Sequence, residues 1–303
     1  MAALPTVKQL RYLVALEKHQ HFGKAAESCH VSQSAFSVAI RELESALDVK
    51  LVDRTNRSVT FTPIGRQVTS QARLCLFDLE GLMDIANEQR DPLSGELRLG
   101  VIPTIAPFML PRILPGIRNK YSKLDLYLRE DQTLPLYREL MRGGLDIILI
   151  ALPYELKGVH AMTLFKDKFL LAVHKNSHLL DDPEHFRVNR LKGGEILLLE
   201  EGHCLREHVL SALNVRDRDK LNRFSATSLH TLVQMVDNDL GISFVPEMAV
   251  DSTLLNGTQV TLHSMSKAYE REIALIWRAS SARNEEFTQF GQLMKELMQV
   301  KSA

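Results

Sequence analysis

The hydrophobic positions in residues 1–62 predict three short helices followed by a two-stranded hairpin. Thr6 and Gln9 have the spacing of a capping box, which begins the first helix, and a second helix is expected around Phe22–Cys29. Ser32 is a favourable N-cap for a third helix. The apolar residues of that third helix fall on one helical face: Phe36, Ala39, Ile40, Leu43 and Leu47.

The predicted hairpin consists of strands Val49–Leu51 and Val59–Phe61, and the loop between them carries Arg54 and Arg57. A hairpin with two arginines suits a wing that lies along a phosphate backbone. The cap and polar face of the third helix offer side chains that can reach base edges and phosphates: Ser32, Gln33, Ser34, Ser37 and Arg41. These features favour a winged helix-turn-helix that binds double-stranded DNA. A generic helical subdomain with a solvated polar face is the alternative.

Residues 63–90 are predicted to form a long linker helix, because Pro63 is favoured at the first helical position. The apolar residues that follow alternate between spacings of three and four, which is the heptad pattern of a seam against another helix. The seam includes Val68, Cys75, Leu79 and Leu82. It predicts a homodimer that places two winged modules on two DNA half-sites. A helix packed on its own domain is the alternative.

Residues 95–303 alternate between strand and helix patterns, which predicts a doubly wound α/β domain. Turn-forming residues at 90–95 mark its boundary. The predicted strands are Leu97–Ile102, Leu124–Glu130, Leu145–Leu152, Phe169–His174, Ile196–Glu200, Ile242–Val245, Val260–His263 and Ile273–Trp277. The predicted helices are Pro107–Lys120, Leu134–Gly143, Cys204–Leu213, Leu229–Asn238 and Glu285–Val300. The last strand and helix are consistent with a chain that crosses to a second lobe and comes back.

Composition narrows the class of protein. The chain has 303 residues, 45% hydrophobic and 24% charged, which is ordinary for a globular protein. No apolar run approaches the roughly 20 residues of a membrane helix, and Lys8 and Arg11 interrupt any secretion signal, so a cytoplasmic protein is predicted. Three cysteines make no disulfide framework. No metal-binding spacing of His or Cys and no GxGxxG motif occurs, so neither a metal nor a cofactor is predicted.

The charges are unevenly distributed although the net charge is zero. Residues 1–73 carry ten basic and six acidic side chains, and the rest of the chain carries the compensating negative charge. A basic N-terminal module is consistent with binding to a polyanion such as DNA.

The N-terminal motifs closely resemble the signature of LysR-type transcriptional regulators. The matching residues are Phe22-x-x-Ala25-Ala26, Ser32-Gln33-Ser34-Ala35, Ile40-x-x-Leu43-Glu44, Leu47, Arg54, Arg57 and Thr62-Pro63-x-Gly65. Members of that family dimerise through the linker helix, often form tetramers, and carry a two-lobed effector domain similar to a periplasmic binding protein. The resemblance therefore implies a homodimer or homotetramer that binds promoter DNA and acts with RNA polymerase.

Cys204 is the candidate for chemistry in the effector domain. It lies in the segment Glu200–Arg206, which follows a predicted strand and opens a predicted helix. A thiol at a helix N-terminus, with His203 and Arg206 close in sequence, is expected to favour the thiolate. A thiolate attacks the O–O bond of a peroxide and gives a sulfenic acid. An inert core cysteine is the alternative.

Further motifs resemble the peroxide-sensing OxyR branch of the LysR family. They are Ile102-Pro103-Thr104, Glu130-x-Gln132-Thr133, Gly202-His203-Cys204-Leu205-Arg206 and Ala226-Thr227-Ser228-Leu229 with Gly241-Ile242. The resemblance implies that Cys204 is the peroxidatic cysteine and that His203 and Arg206 flank it. It also implies that the hydroxyls of Thr104 and Thr133 help to bind hydrogen peroxide.

Position 213 departs from that branch. Its members usually carry a resolving cysteine nine residues after the peroxidatic one, and this chain has Leu213 there. The intramolecular disulfide of the branch is therefore not available to Cys204. We expect oxidation to stop at the sulfenic acid or at an adduct with a low-molecular-weight thiol, unless the cysteine has lost its signalling role.

Two other functions remain open at the level of sequence. In one, a small anionic metabolite bound between the lobes is the effector of a LysR-type regulator, and Cys204 is incidental. In the other, the chain is a thiol-dependent enzyme such as a peroxidase. The lack of a resolving cysteine and of a clear Cys–His–Asp arrangement disfavours the enzyme, so no enzymatic activity is predicted.

Overall fold

The computed structural model describes residues 4–54, 59–86, 93–179, 191, 193–212, 221–265 and 269–299. They form two compact units that divide after Arg90, except that Met141–Gly144 group with the first. The first unit is mainly helical and the second is α/β. Among the described helices, none is long and apolar enough to cross a lipid bilayer.

The first unit contains helices α1 (Val7–His19), α2 (Phe22–Ser28), α3 (Gln33–Leu47) and α4 (Pro63–Ala86), and strands β1 (Val52–Arg54) and β2 (Val59–Phe61). The capping box predicted for α1 is confirmed. The Thr6 hydroxyl accepts a hydrogen bond from the Gln9 amide, and the Gln9 side chain accepts one from the Thr6 amide. The hydroxyl of Ser32 caps α3 by accepting from the amide of Ala35.

The first hairpin strand lies three residues later than predicted. In the structure Val52 pairs with Phe61, so the prediction of a strand at Val49–Leu51 is wrong. The reason is the buried carboxylate of Glu44, which accepts hydrogen bonds from the amides of Leu51 (2.9 Å) and Val52 (3.2 Å). These two bonds hold the chain in the turn after α3, and strand pairing begins only beyond that turn.

The apolar face predicted for α3 forms the core of this unit. Phe36, Ile40 and Leu43 are fully buried. The Phe36 ring stacks on Tyr12 of α1 with 4.7 Å between ring centroids, and Phe22 of α2 meets it edge-on at 6.0 Å. Aromatic pairs in these arrangements stabilise a core beyond their buried area, so the three helices pack as one body.

The start of α4 joins this helix to the hairpin. The Thr62 hydroxyl accepts from the Gly65 amide at 2.9 Å and donates to the Lys50 carbonyl at 2.7 Å. Gly65 permits this approach because a Cβ atom there would lie 1.9 Å from the carbonyl oxygen of Leu51. The Thr-Pro-x-Gly sequence therefore has a structural reason at each fixed position: a cap, a helix start and a close backbone contact.

The predicted seam on α4 divides into two parts. Ala72 is buried in the core of the first unit, and Val68 packs partly against that core. Cys75 is half-buried, whereas Leu79 and Leu82 are 40% and 60% exposed. A seam with a second chain through Val68, Cys75, Leu79 and Leu82 stays a prediction, and the exposed Leu79 and Leu82 leave the most apolar surface for it.

The second unit contains strands β3 (Gly95–Val101), β4 (Leu124–Glu130), β5 (Ile147–Leu152), β6 (Val159–His174), β7 (Ile196–Leu199), β8 (Leu221–Ala226), β9 (Ser243–Pro246), β10 (Val260–His263) and β11 (Glu270–Arg278). Its helices are α5 (Ala106–Lys120), α6 (Thr133–Met141), α7 (Cys204–Ala212), α8 (Leu229–Asp237) and α9 (Asn284–Gln299). The main sheet has the strand order β10-β6-β11-β5-β3-β4, and β9 also pairs with β6.

Strand β6 belongs to both lobes of this unit. Its first part pairs antiparallel with β11, and Phe169–His174 pair with β9 and β10. In the first lobe β3 runs parallel to β4 and β5, and in the second β7 runs parallel to β8. The chain returns to the first lobe through β11 and α9, as the sequence predicts.

The sequence reading missed the first part of β6 and all of β8. The missed part of β6, residues 159–168, is buried only at Leu164 and Asp167 and includes charged residues, and Leu221–Ala226 is buried only at Ala226. Neither segment has a continuous apolar run like that of the core strand Ile147–Leu152. Pairing with β11 and with β7 makes these segments strands, and a single sequence does not display that pairing.

Candidate functional site

The polar residues predicted to meet DNA extend from the N-cap of α3 to Arg41 near its middle. Gln33, Ser34 and Arg41 are exposed, and Ser37 is half-buried. The hydroxyl of Ser32 is used as the helix cap and lies 3.0 Å from the hydroxyl of Ser34. Ser32 therefore shapes the start of the helix, and contact of the other four side chains with DNA stays a prediction.

The wing residues can be located only in part. Arg54 is the last residue of β1, and its backbone pairs with Val59 of β2. Arg57 lies outside the described residues, as does the side chain of Arg54. Their contact with phosphate stays a prediction.

Cys204 is the first residue of α7 and its side chain is 5% exposed. The loop before it turns at Gly202, whose φ of +94° favours glycine. A Cβ atom at Gly202 would lie 2.4 Å from Oε1 of Gln132, so the loop packs directly on that side chain. This contact brings the start of α7 against Gln132 and Thr133, two of the positions that the resemblance singled out.

Thr133 begins α6 and is buried. Its hydroxyl has no hydrogen-bond partner of ordinary geometry among the described residues. It interacts with the Cys204 thiol closely enough to lower the pKa of that thiol. Thr133 therefore supplies a hydroxyl beside the sulfur that is not committed to another group.

Arg271 is the buried cation of this site, and sequence reasoning missed it. Its Nε donates to Oδ2 of Asp167, which lies opposite it on β6, at 2.9 Å. Its Nη1 donates to Oγ1 of Thr104 at 2.8 Å and its Nη2 to the Thr104 carbonyl at 3.0 Å. Asp167 also accepts from the amide of Met248 at 2.9 Å. Arg271 thus fixes Thr104 in place, and its charge acts on Cys204.

The expectation that the surroundings of Cys204 favour the thiolate is wrong for this state. Burial raises the pKa of the thiol, because a charged sulfur loses solvation in an apolar environment. The charge of Arg271 is the largest of the opposing effects, followed by Thr133 and by the backbone amides of the site. Cys204 is therefore mainly a protonated thiol at neutral pH. Desolvation favours this protonated form, and the charge of Arg271 favours the thiolate.

His203 and Arg206 do not supply the positive charge that the sequence suggested. His203 is buried, and burial lowers the pKa of its imidazole, which is therefore neutral at pH 7. The guanidinium of Arg206 donates to the carbonyl of Leu199 at 3.0 Å. Arg206 therefore ties α7 to β7, and the cation that acts on Cys204 is Arg271.

A cavity of about 590 Å³ lies beside this site. Its wall includes Tyr154, and the pKa of the Tyr154 phenol is raised by burial and by the nearby Cys204. The lining residues are Leu152, Pro153, Tyr154, Glu155, Glu270 and Glu272. Three of these residues are carboxylates, of which Glu270 pairs with Lys166 and Glu272 accepts a hydrogen bond from Thr163. No group of three or more His, Cys, Asp or Glu side chains in the described part of the chain is arranged to hold a metal ion.

Two protein families match consecutive parts of the chain. The bacterial regulatory helix-turn-helix protein of the lysR family matches residues 7–66, and the LysR substrate binding domain matches residues 90–299. The matched ranges cover the DNA-binding motif and the two-lobed unit that contains Cys204.

Known proteins are similar over nearly the whole chain. The HTH-type transcriptional regulator EstR of Acinetobacter baylyi is 38% identical over 304 residues, which are 98% of each chain. The DNA-binding transcriptional dual regulator OxyR of Escherichia coli is 37% identical over 292 residues, 96% of this chain and 95% of the relative. A full-length OxyR variant from Pseudomonas aeruginosa has a similar structure, with a TM-score of 0.83 at 31% identity, covering 99% of this chain and 96% of that one.

Proposed function

This chain belongs to the LysR family of bacterial DNA-binding transcriptional regulators and is of the OxyR type, and from that premise we propose that it responds to hydrogen peroxide through Cys204. The observation that supports this most is the buried sulfur at the start of α7, with the uncommitted Thr133 hydroxyl and the Arg271 charge acting on it. Reduction of a peroxide needs a nucleophilic sulfur, a cation that stabilises its thiolate and a hydrogen-bond donor for the peroxide oxygens, and Cys204, Arg271 and Thr133 can fill these roles.

Each of these groups has a role in the proposed reaction. The sulfur attacks one oxygen of hydrogen peroxide, and the second oxygen leaves as hydroxide and becomes water with the proton from the thiol. The Arg271 charge stabilises the thiolate that attacks. The Thr104 hydroxyl accepts a hydrogen bond from Arg271 and can donate its own proton to another oxygen. The Thr133 hydroxyl is also available to donate, so both hydroxyls can hold the oxygens of hydrogen peroxide.

The product on Cys204 follows from the cysteines of the chain. The sequence contains three, and Cys29 and Cys75 belong to the first unit. Leu213 stands where the OxyR branch has its resolving cysteine and lies outside the described residues. The sulfenic acid therefore persists, or is capped by a low-molecular-weight thiol, rather than closing an internal disulfide.

Intact-mass measurement after one equivalent of hydrogen peroxide tests this function. We expect a gain of one oxygen on Cys204, located by peptide mapping, and no such gain in Cys204→Ser. Footprinting of promoter DNA with the same two proteins should change on oxidation only for the wild type. Loss of two hydrogens within one chain would contradict the proposed product, and a Cys204 that stays reduced would contradict peroxide sensing.

The proposed DNA-bound form is a homodimer or homotetramer in the cytoplasm that places its winged modules on promoter half-sites and acts with RNA polymerase. The boundaries proposed for its parts are residues 1–62 for the winged module, 63–90 for the linker helix and 95–303 for the effector domain. The exposed Leu79 and Leu82 on α4 support a helix-to-helix contact between subunits, because two large apolar side chains on one helix otherwise meet water.

Gln33→Ala and Arg54→Ala should weaken DNA binding in different ways. We expect Gln33→Ala to lower affinity for the cognate site by about tenfold, the value of one lost base contact, with little effect on random DNA. Arg54→Ala should weaken both and reduce the slope of log affinity against log salt by about one. Fluorescence anisotropy at several salt concentrations checks both. Equal losses on both DNAs for Gln33→Ala would remove it from base recognition.

Oxidation of Cys204 should accelerate with pH. Burial raises the pKa of this thiol, so the thiolate fraction grows about tenfold per pH unit between about pH 7 and 8.5. His203 is already neutral in that range because burial lowers the pKa of its ring. The rate constant with peroxide, measured by quenched mass spectrometry in Cys29→Ser/Cys75→Ser, should follow that slope. A rate constant independent of pH above 7 would contradict the raised pKa.

The same pKa shift affects stability. In the unfolded chain the thiol ionises at its ordinary pKa, whereas in the folded chain it stays protonated to higher pH. Its contribution to the free energy of unfolding is therefore fully present below the ordinary thiol pKa and is lost as the pH rises through the raised one.

A further inference from the structure

His208 is a buried side chain of α7 that the proposed chemistry does not use. It is 9% exposed, and its Nε2 lies 3.0 Å from the carbonyl oxygen of Pro153, a residue of the cavity wall. A carbonyl oxygen only accepts, so Nε2 carries the proton of the neutral ring. Nδ1 is therefore an acceptor, and it has no hydrogen-bond partner among the described residues.

The helix places His208 next to Cys204. The two residues are four apart within α7, and residues i and i+4 lie on the same helical face with about 5–6 Å between their Cβ atoms. Helical side chains lean toward the N-terminus, so His208 lies over the turn that begins with Cys204. Arg271 acts electrostatically on both groups, which places the three in one neighbourhood.

We propose that Nδ1 of His208 accepts the hydrogen bond of the sulfenic acid formed on Cys204, and thereby holds the oxidised state in a chain that lacks a resolving cysteine. The inference rests on the proposed function. In the step that it follows, the S–O bond forms as the O–O bond of hydrogen peroxide breaks. The sulfur is oxidised by two electrons, and the leaving hydroxide takes up the thiol proton to give water.

The buried site creates the need for such an acceptor. A sulfenic acid carries an O–H donor, and a buried donor without a partner is costly. A bond from that O–H to Nδ1 also favours the protonated form of the acid over its anion. The anion is the form that attacks a second peroxide, so the bond slows conversion to the irreversible sulfinic acid.

Two substitutions at His208 distinguish the roles of its two ring nitrogen atoms. In His208→Gln the amide nitrogen falls where Nε2 stood and can still donate to Pro153, but nothing accepts at the Nδ1 position. In His208→Asn the shorter amide keeps an acceptor at the Nδ1 position and loses the reach to Pro153. The glutamine variant thus removes the proposed function of the ring, and the asparagine variant is its matched control.

The test follows the Cys204 peptide of the full-length chain by mass after one equivalent of hydrogen peroxide, with a carbon-nucleophile trap for sulfenic acid. We expect the lifetime of the +16 species to fall about fivefold in His208→Gln, the factor given by one lost hydrogen bond of typical strength, with more +32 product. His208→Asn should keep the wild-type lifetime and have a lower melting temperature.

The possible failures are distinguishable. A wild-type lifetime in His208→Gln, or an equal shortening in both variants, would overturn the role of Nδ1 while leaving peroxide sensing intact. If the wild-type chain itself acquires no oxygen at Cys204, the proposed function and this inference fail together.

Discussion

Replacing Arg271 with methionine should slow oxidation of Cys204 at pH 7 by about tenfold or more and lower the free energy of unfolding by about 3–5 kcal/mol. The rate falls because the Arg271 charge is the largest effect that opposes desolvation of the thiolate. Stability falls because the carboxylate of Asp167 is left buried without its cation.

A double variant separates the two effects. In Arg271→Met/Asp167→Asn the buried charge is gone, and the asparagine oxygen can still accept from the amide of Met248, as Asp167 does at 2.9 Å. Removing both members of a buried ion pair costs much less than removing one. We therefore expect the double variant to regain most of the stability in urea unfolding and to remain slow in oxidation.

The combination of results decides what Arg271 does. If the double variant recovers the rate together with the stability, then Arg271 acts only by maintaining the fold. If the single variant oxidises at the wild-type rate, the charge of Arg271 has no part in activating the sulfur, and Thr104 and Thr133 must be sufficient.

Elements whose ends are set by local chemistry could be predicted from the sequence. The capping box of Thr6 and Gln9 and the Thr62-Pro63 start of α4 depend on residues within a few positions of one another. Val260–His263 was predicted to the residue. The start of β1 could not be predicted, because the carboxylate of Glu44 reaches forward to amides seven and eight residues away.

The candidate site was predictable only where a motif is contiguous. Cys204, Thr104 and Thr133 were singled out through resemblance; in the structure Thr133 acts on the Cys204 thiol, and Thr104 is bound by Arg271. Arg271 was missed since it stands between two glutamates in β11 and has the sequence pattern of a solvated strand. A signal for Arg271 is Asp167, which lies opposite it in the pairing of β11 with β6. That signal can be read only if the segment around Asp167 is known to be a strand.

Gly202→Ala should slow the oxidation of Cys204 by about tenfold to a hundredfold, the range expected when a reacting group is displaced by up to 1 Å. The φ of +94° at Gly202 is strained for alanine, and the added Cβ would lie 2.4 Å from Oε1 of Gln132. Either the Gln132 side chain or the loop must move. Because the loop carries Cys204 two residues later, its movement displaces the sulfur from Thr133.

Two controls isolate this contact from backbone strain. Gly257 also has a positive φ, of +76°, but a Cβ there meets nothing within 4 Å. Gly257→Ala should therefore cost about 1–2 kcal/mol of stability through strain alone and leave the oxidation rate unchanged. Gly202→Ala/Gln132→Ala removes the obstacle and should recover part of the rate.

The rate of Cys204 oxidation by one equivalent of peroxide is measured for each variant by stopped flow or by quenched mass spectrometry. Urea unfolding of the same variants gives their stabilities, so that each rate can be compared with the stability of the same protein. If Gly257→Ala slows oxidation as much as Gly202→Ala does, the effect comes from general destabilisation and the loop does not position the sulfur. If only Gly202→Ala is slow and removal of the Gln132 side chain restores it, then a glycine and an amide side chain fix the distance between Cys204 and the hydroxyl that assists it.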